Sequence, residues 1–253
     1  MENDGGDWVR RTAGASRERL VSLVSSALQR GGFGEAEALR VLRHPFCSEE
    51  AIRLVLLSRE AMRSSAVRKG VAIHPAAPRA DALRAVEDLG WRDLADVGRS
   101  TRTPPAVRRA ASRRVAERLV RLAKGERVAL GRIADRDLLG LLLRDREPEV
   151  VSAALQNPRL LPEDLEAWIA ASPHPGSLSV VAENPSWRCR PPLRAALLRC
   201  RATPPGAVIT LLRASTPAEL RALANEPSTP RLTAAWALRM LEAGGEETAG
   251  RTG

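Results

Sequence analysis

Asn157-Pro158-Arg159-Leu160-Leu161-Pro162-Glu163-Asp164-Leu165 is the stretch on which the fold turns. A residue before proline is pushed out of helical geometry, so Asn157-Pro158 ends one helical run. Pro162 has no N–H to leave orphaned and its fixed φ suits a first helical position, so it opens the next. Glu163 and Asp164 then fall in the first turn, where the helix dipole favours carboxylates. Leu165, Trp168 and Ile169 follow at i, i+3, i+4 spacing, the mark of a helix with one apolar face. One short helix ends and another begins within nine residues.

The same punctuation runs outward in both directions. Helical runs stop at His44-Pro45, His74-Pro75, Asn184-Pro185 and Asn225-Glu226-Pro227. Pro45 to Pro75 is 30 residues and Pro158 to Pro185 is 27, about one helical hairpin per period. Starts recur as well. Thr103, Thr203, Thr216 and Thr229 each precede proline, and their hydroxyls are predicted to cap helices. Thr216-Pro217-Ala218-Glu219 adds the glutamate of a capping box, and Ser48-Glu49-Glu50 is a start of the same kind. Over residues 103–122, Val107, Ala111, Val115, Leu119 and Leu122 share one face, and Arg109, Arg113, Arg114 and Arg121 mostly occupy the other. A single short hairpin cannot bury its apolar face, so stacking on neighbours is required.

Composition agrees. Leu, Ala and Val dominate the apolar set and aromatics are 3%, which favours helix over sheet. Eighteen prolines suit many short helices, each restarted by a proline. The expected fold class is therefore all-α, an α-solenoid of stacked short antiparallel hairpins over residues 16–243. Residues 1–15 and 244–253 read as flexible tails, with Trp8 docking on the first helices.

The joint at Asn157, with looser copies at Asn225-Glu226-Pro227-Ser228-Thr229-Pro230 and His74-Pro75-Ala76-Ala77-Pro78, resembles that of the bacterial HEAT-like and leucine-rich-variant repeats. The likeness spans residues 43–243, with a drifting period and a departure at 124–145. It implies an α-solenoid that binds something. Such families have no fixed active site, so no catalytic residue is carried over.

Charge supplies the site. The chain carries a net +10, yet residues 99–134 hold eleven basic residues against two acidic ones, Glu117 and Glu126. The rest of the chain is nearly balanced, so the excess sits in what reads as one central hairpin. Self-repulsion disfavours such a cluster unless an anion or acidic surface lies nearby. Arg108, Arg109, Arg113, Arg114, Arg121 and Lys124 form the candidate patch for an acidic protein or for phosphates. The other reading is a solvated face answered by Asp93, Asp96, Asp135 and Asp137.

Nothing points to chemistry. The three histidines, at 44, 74 and 174, all precede proline and read as turn residues, without metal-ligand spacing. Cys47, Cys189 and Cys200 make no CxxC pair and are expected to be reduced and mostly buried. Trp168 and Trp236 read as core. Trp91 and Trp187, each followed by arginine, read as packing residues rather than base-stacking ones. Lys124-Gly125-Glu126-Arg127 lacks the glycine frame of a phosphate loop. No apolar run reaches the ~18 residues of a membrane span, and the acidic N-terminus does not read as a signal peptide. The expectation is a non-catalytic, monomeric, cytoplasmic scaffold without cofactor or metal. It binds another protein, and a nucleic-acid solenoid using residues 99–134 is the rival.

Overall fold

The computed structural model describes residues 4–171 and 174–249. Helix makes up 73% of them and no strand occurs among them, as the 3.6-residue apolar spacing requires. No described helix is long and apolar enough to cross a membrane. The chain divides into two compact units, one ending at Arg121 and the other beginning at Leu122.

The first unit holds α1 (Asp4–Thr12), α2 (Arg17–Gln29), α3 (Glu35–Arg43), α4 (Glu49–Leu57), α5 (Ser65–Ile73), α6 (Arg79–Glu87), α7 (Trp91–Arg99) and α8 (Pro105–Arg118). Single 3-10 turns lie at Ala61–Arg63 and Leu119–Arg121. Sequential helices pair, α5 on α6 and α7 on α8, and next-but-one helices also pack, α3 on α5, α5 on α7 and α6 on α8. Leu20, Ile52, Val67 and Leu94 are fully buried between them. The second unit holds α9 (Lys124–Ile133), α10 (Arg136–Leu142), α11 (Pro148–Leu155), α12 (Pro162–Ala170), α13 (Pro175–Glu183), α14 (Pro185–Arg188), α15 (Pro191–Arg199), α16 (Pro205–Arg213), α17 (Pro217–Asn225) and α18 (Arg231–Ala249). The same alternation holds there: α9 packs on α11, α11 on α13, α12 on α15, and α17 on α18.

The ends differ from the sequence reading. Residues 4–12, read as tail, form α1, because Trp8 is buried edge-to-face against Phe33 with ring centroids 6.0 Å apart. α18 runs to Ala249, past the expected limit at 243. The remaining tail residues, 1–3 and 250–253, lie outside the described residues.

The joints share one geometry. At six of them an N–H bonds the carbonyl three residues back: Cys47 to His44, Ala77 to His74, Thr103 to Ser100, Leu160 to Asn157, Thr203 to Cys200 and Thr229 to Glu226, at 3.0–3.3 Å. The next residue in each case directly precedes a helix. The polar residue that opens a joint stitches the chain to itself. His44 accepts the Phe46 N–H on Nδ1 (3.2 Å), which leaves its proton on Nε2 for the Thr12 carbonyl at 3.1 Å. Asn157 reaches back similarly, to the carbonyls of Gly131 and Ala134.

This geometry corrects three of the four threonine caps. Thr216 does cap α17, in a full capping box with Glu219. Thr103 and Thr203 sit one residue too early, with Pro104 and Pro204 at the cap position. For Thr103 and Thr203 the cause is the doubled proline, Pro104-Pro105 and Pro204-Pro205. The second proline takes the first helical position and displaces the threonine by one. Thr229 occupies the same place ahead of α18. All three are buried instead. The Thr203 hydroxyl donates to the Leu197 carbonyl at 2.6 Å, whereas those of Thr103 and Thr229 have no partner. Thr203→Val is therefore expected to cost about 1 kcal/mol, because it removes one of two donors to the Leu197 carbonyl, which keeps the Cys200 N–H at 3.3 Å. Thr103→Val, with the same shape and no bond to lose, is expected to stay within about 0.5 kcal/mol of the parent. Urea midpoints check this, and equal losses for both would mean that the Thr103 hydroxyl is bonded after all.

Candidate functional site

α8 is built by its doubled proline start and by Val107, Ala111, Ser112 and Val115, which are buried against the rest of the first unit. The helical period then fixes the outer face. Arg109, Arg113 and Arg114 are exposed, as is Arg121 in the 3-10 turn that follows, and Arg108 is half-buried. No acidic residue lies in the first turn of α8 to answer its N-terminal dipole.

The basic segment runs across the division between the two units. α8 pairs with α7 and α6 in the first unit, and α9, which begins at Lys124, pairs with α11 in the second. Lys124 is also already answered: its ammonium lies 2.9 Å from Glu149 and 3.8 Å from Glu147, and the hydrogen bond to Glu149 raises its pKa. Arg127 pairs with Asp145 at 2.7 Å and donates to the Leu122 carbonyl. Arg114 pairs with Glu117 at 3.1 Å and Arg99 with Asp96 at 2.8 Å. Arg118 lies along the protein surface and caps the end of α6, donating to the Leu89 and Glu87 carbonyls at 2.6 and 2.9 Å.

Three of the four acids expected to neutralise the basic segment, Asp93, Asp96 and Asp135, are engaged elsewhere. Asp93 and Asp96 hold Lys69 at 2.8 and 3.1 Å, and those bonds, the one to Asp93 foremost, raise the pKa of the lysine. Asp135 caps α10 by accepting the Leu138 N–H. The side chains of Arg108, Arg109, Arg113 and Arg121 are left without a hydrogen-bond or ion-pair partner among the described residues. Arg109 and Arg113 stand one helical turn apart on the same exposed face.

The other candidates resolve into structure. Each histidine uses Nδ1 to accept the N–H two residues on, from Phe46, Ala76 and Gly176, as an Asx residue does in a turn. Burial and, behind it, the Arg102 charge hold His74 below the usual imidazole range. No group of three His, Cys, Asp or Glu among the described residues is placed to hold a metal. All three cysteines are free. Contrary to expectation none is fully buried: Cys47 and Cys200 are half-buried and Cys189 is exposed, although burial still pushes the Cys47 thiol up to about 11. Trp187 is buried with its N–H on the Leu155 carbonyl at 2.9 Å, and the guanidinium over its ring belongs to Arg190, not to the adjacent Arg188. Trp91 is half-buried under Arg92, whose guanidinium lies 5.1 Å from its ring centre. Trp168 is buried, but Trp236 is only half-buried. Compared with known protein families, with curated proteins and with solved structures, the chain matches none.

Proposed function

We propose that this chain is a non-catalytic helical repeat protein that binds another protein through the arginine strip of α8. The reading includes a HEAT-like arrangement of short antiparallel hairpins, supported by the alternate packing of sequential and next-but-one helices and by the recurring joints. It also takes the chain as a monomer in the cytoplasm. The observation that carries the binding role is the set of unanswered arginines on α8, in a structure that otherwise pairs many of its charges.

Charge distribution favours a protein partner over nucleic acid. A phosphate chain needs positive potential across several helices. The helices on which α8 packs are not basic throughout: α7 carries Asp93 and Asp96, and α6 carries Asp81 and Glu87. Affinity capture on the full chain, with and without nuclease, tests the reading. Capture is expected to survive nuclease and to weaken as salt rises. Capture that disappears with nuclease, together with tight binding of duplex DNA at low salt, would replace this reading with the nucleic-acid one.

A further inference from the structure

Several ion pairs between helices among the described residues run the same way along the chain. Lys69 of α5 bonds Asp93 and Asp96 of α7. Lys124 of α9 bonds Glu149 of α11 at 2.9 Å, and Arg136 of α10 bonds Asp164 of α12 at 2.5 Å. Arg194 of α15 bonds Glu219 of α17 at 2.6 Å, and Arg199 bonds Glu226, just after α17, at 2.7 Å. In each of these pairs the cation belongs to the earlier helix and the carboxylate lies later in the chain. Asp93, Glu149, Asp164 and Glu219 all lie in the first turn of their helices. One carboxylate there satisfies two demands, the neighbour's cation and the positive end of its own helix dipole.

α8 presents the cationic half of such a rung with no carboxylate to meet it. Its Arg109 and Arg113 side chains are exposed and make no ion pair among the described residues. We propose that the partner completes this rung. Its contact element is a helix with Asp or Glu in the first turn, laid on α8 as α7 is laid on α5. Val120, 88% exposed and seven residues beyond Arg113, offers that helix an apolar contact further along. The proposal rests on the protein-binding reading above and gives that partner its chemistry.

Two labelled helical peptides of identical composition test it on the full-length chain. One opens Ser-Pro-Glu-Asp, and the other carries its acids in the last turn. By fluorescence anisotropy the first is expected to bind roughly tenfold tighter, from two exposed charge pairs plus the dipole. The double variant Arg109→Gln/Arg113→Gln is expected to remove most of that advantage. Its circular dichroism should match the parent, because both side chains are exposed. Lys124→Gln, whose charge Glu149 already answers, should leave the affinity unchanged.

Equal affinity for the two peptides overturns the rung and leaves the protein-binding reading standing. Binding of neither peptide at low salt, or undiminished binding by the double variant, also overturns it. Duplex DNA binding tightly where neither peptide does overturns the protein-binding reading as well. Concentration-dependent self-association that the double variant abolishes would make the occupant a second copy of this chain and overturn a distinct partner.

Discussion

Trp187→Ala is expected to lower stability by about 4 kcal/mol, the largest single-residue loss foreseen for this chain. The indole is only 7% exposed, so truncation opens a cavity beneath α14. It also removes the donor to Leu155, whose carbonyl closes α11 and has no partner within that helix. Trp187→Phe separates the two contributions. It keeps most of the ring and loses only the N–H, for an expected cost of about 1–2 kcal/mol. Trp91, half-buried, is the control, and Trp91→Ala is expected to cost about half as much as Trp187→Ala. Urea titration followed by circular dichroism measures all three. A Trp187→Ala loss no greater than that of Trp91→Ala would mean that the Leu155 tie contributes nothing.

Asn157→Ala is the second, with an expected loss of about 3 kcal/mol. The Asn157 side chain is 4% exposed and makes three hydrogen bonds. Its amide donates to Gly131 at 2.8 Å and Ala134 at 3.1 Å, the last carbonyls of α9, and its oxygen accepts the Arg159 N–H at 2.9 Å. Alanine leaves two buried carbonyls bare. Asn157→Asp is expected to be at least as damaging, because a carboxylate has no hydrogen to donate and faces the same two oxygens. Asn184, at the other Asn-Pro joint, makes one local bond to the Ser186 N–H at 3.0 Å, so Asn184→Ala is expected to cost only about 1 kcal/mol. The same titrations decide it, and similar losses at the two asparagines would show that Asn157 acts only as a turn residue.

Those two asparagines look alike as sequence, and so do the threonines at 103, 203 and 216. The asparagines differ through what lies 20–30 residues away once the helices pack, the threonines through the prolines that follow them. The 3.6-residue spacing of Val107, Ala111 and Val115, with arginines between, was enough to orient α8, because that pattern is settled within a few turns of one helix. The helix ends before proline were legible for the same reason, since the constraint lies in adjacent residues. The doubled prolines at 104–105 and 204–205 were legible too, and reading the second as the true first helical residue would have moved Thr103 and Thr203 off the cap.

The candidate site was only half visible in this way. The sequence by itself determined an all-helical chain, the position of most helices, and the concentration of arginine in residues 99–134. Only the tertiary structure decided which of those charges are spent. Lys124 lost its place in the patch because packing of α9 on α11 brings Glu149 to it, and Arg118 because the end of α6 offers it two carbonyls. Arg109 and Arg113 kept theirs because packing brings no carboxylate to them. The division at Arg121, which splits the basic segment between two units, was equally beyond local reading. Helix formation is governed by short-range hydrogen bonds and side-chain spacing, which the order of residues encodes directly. Charge neutralisation depends on distances between residues remote in sequence, which exist only after the apolar faces have packed.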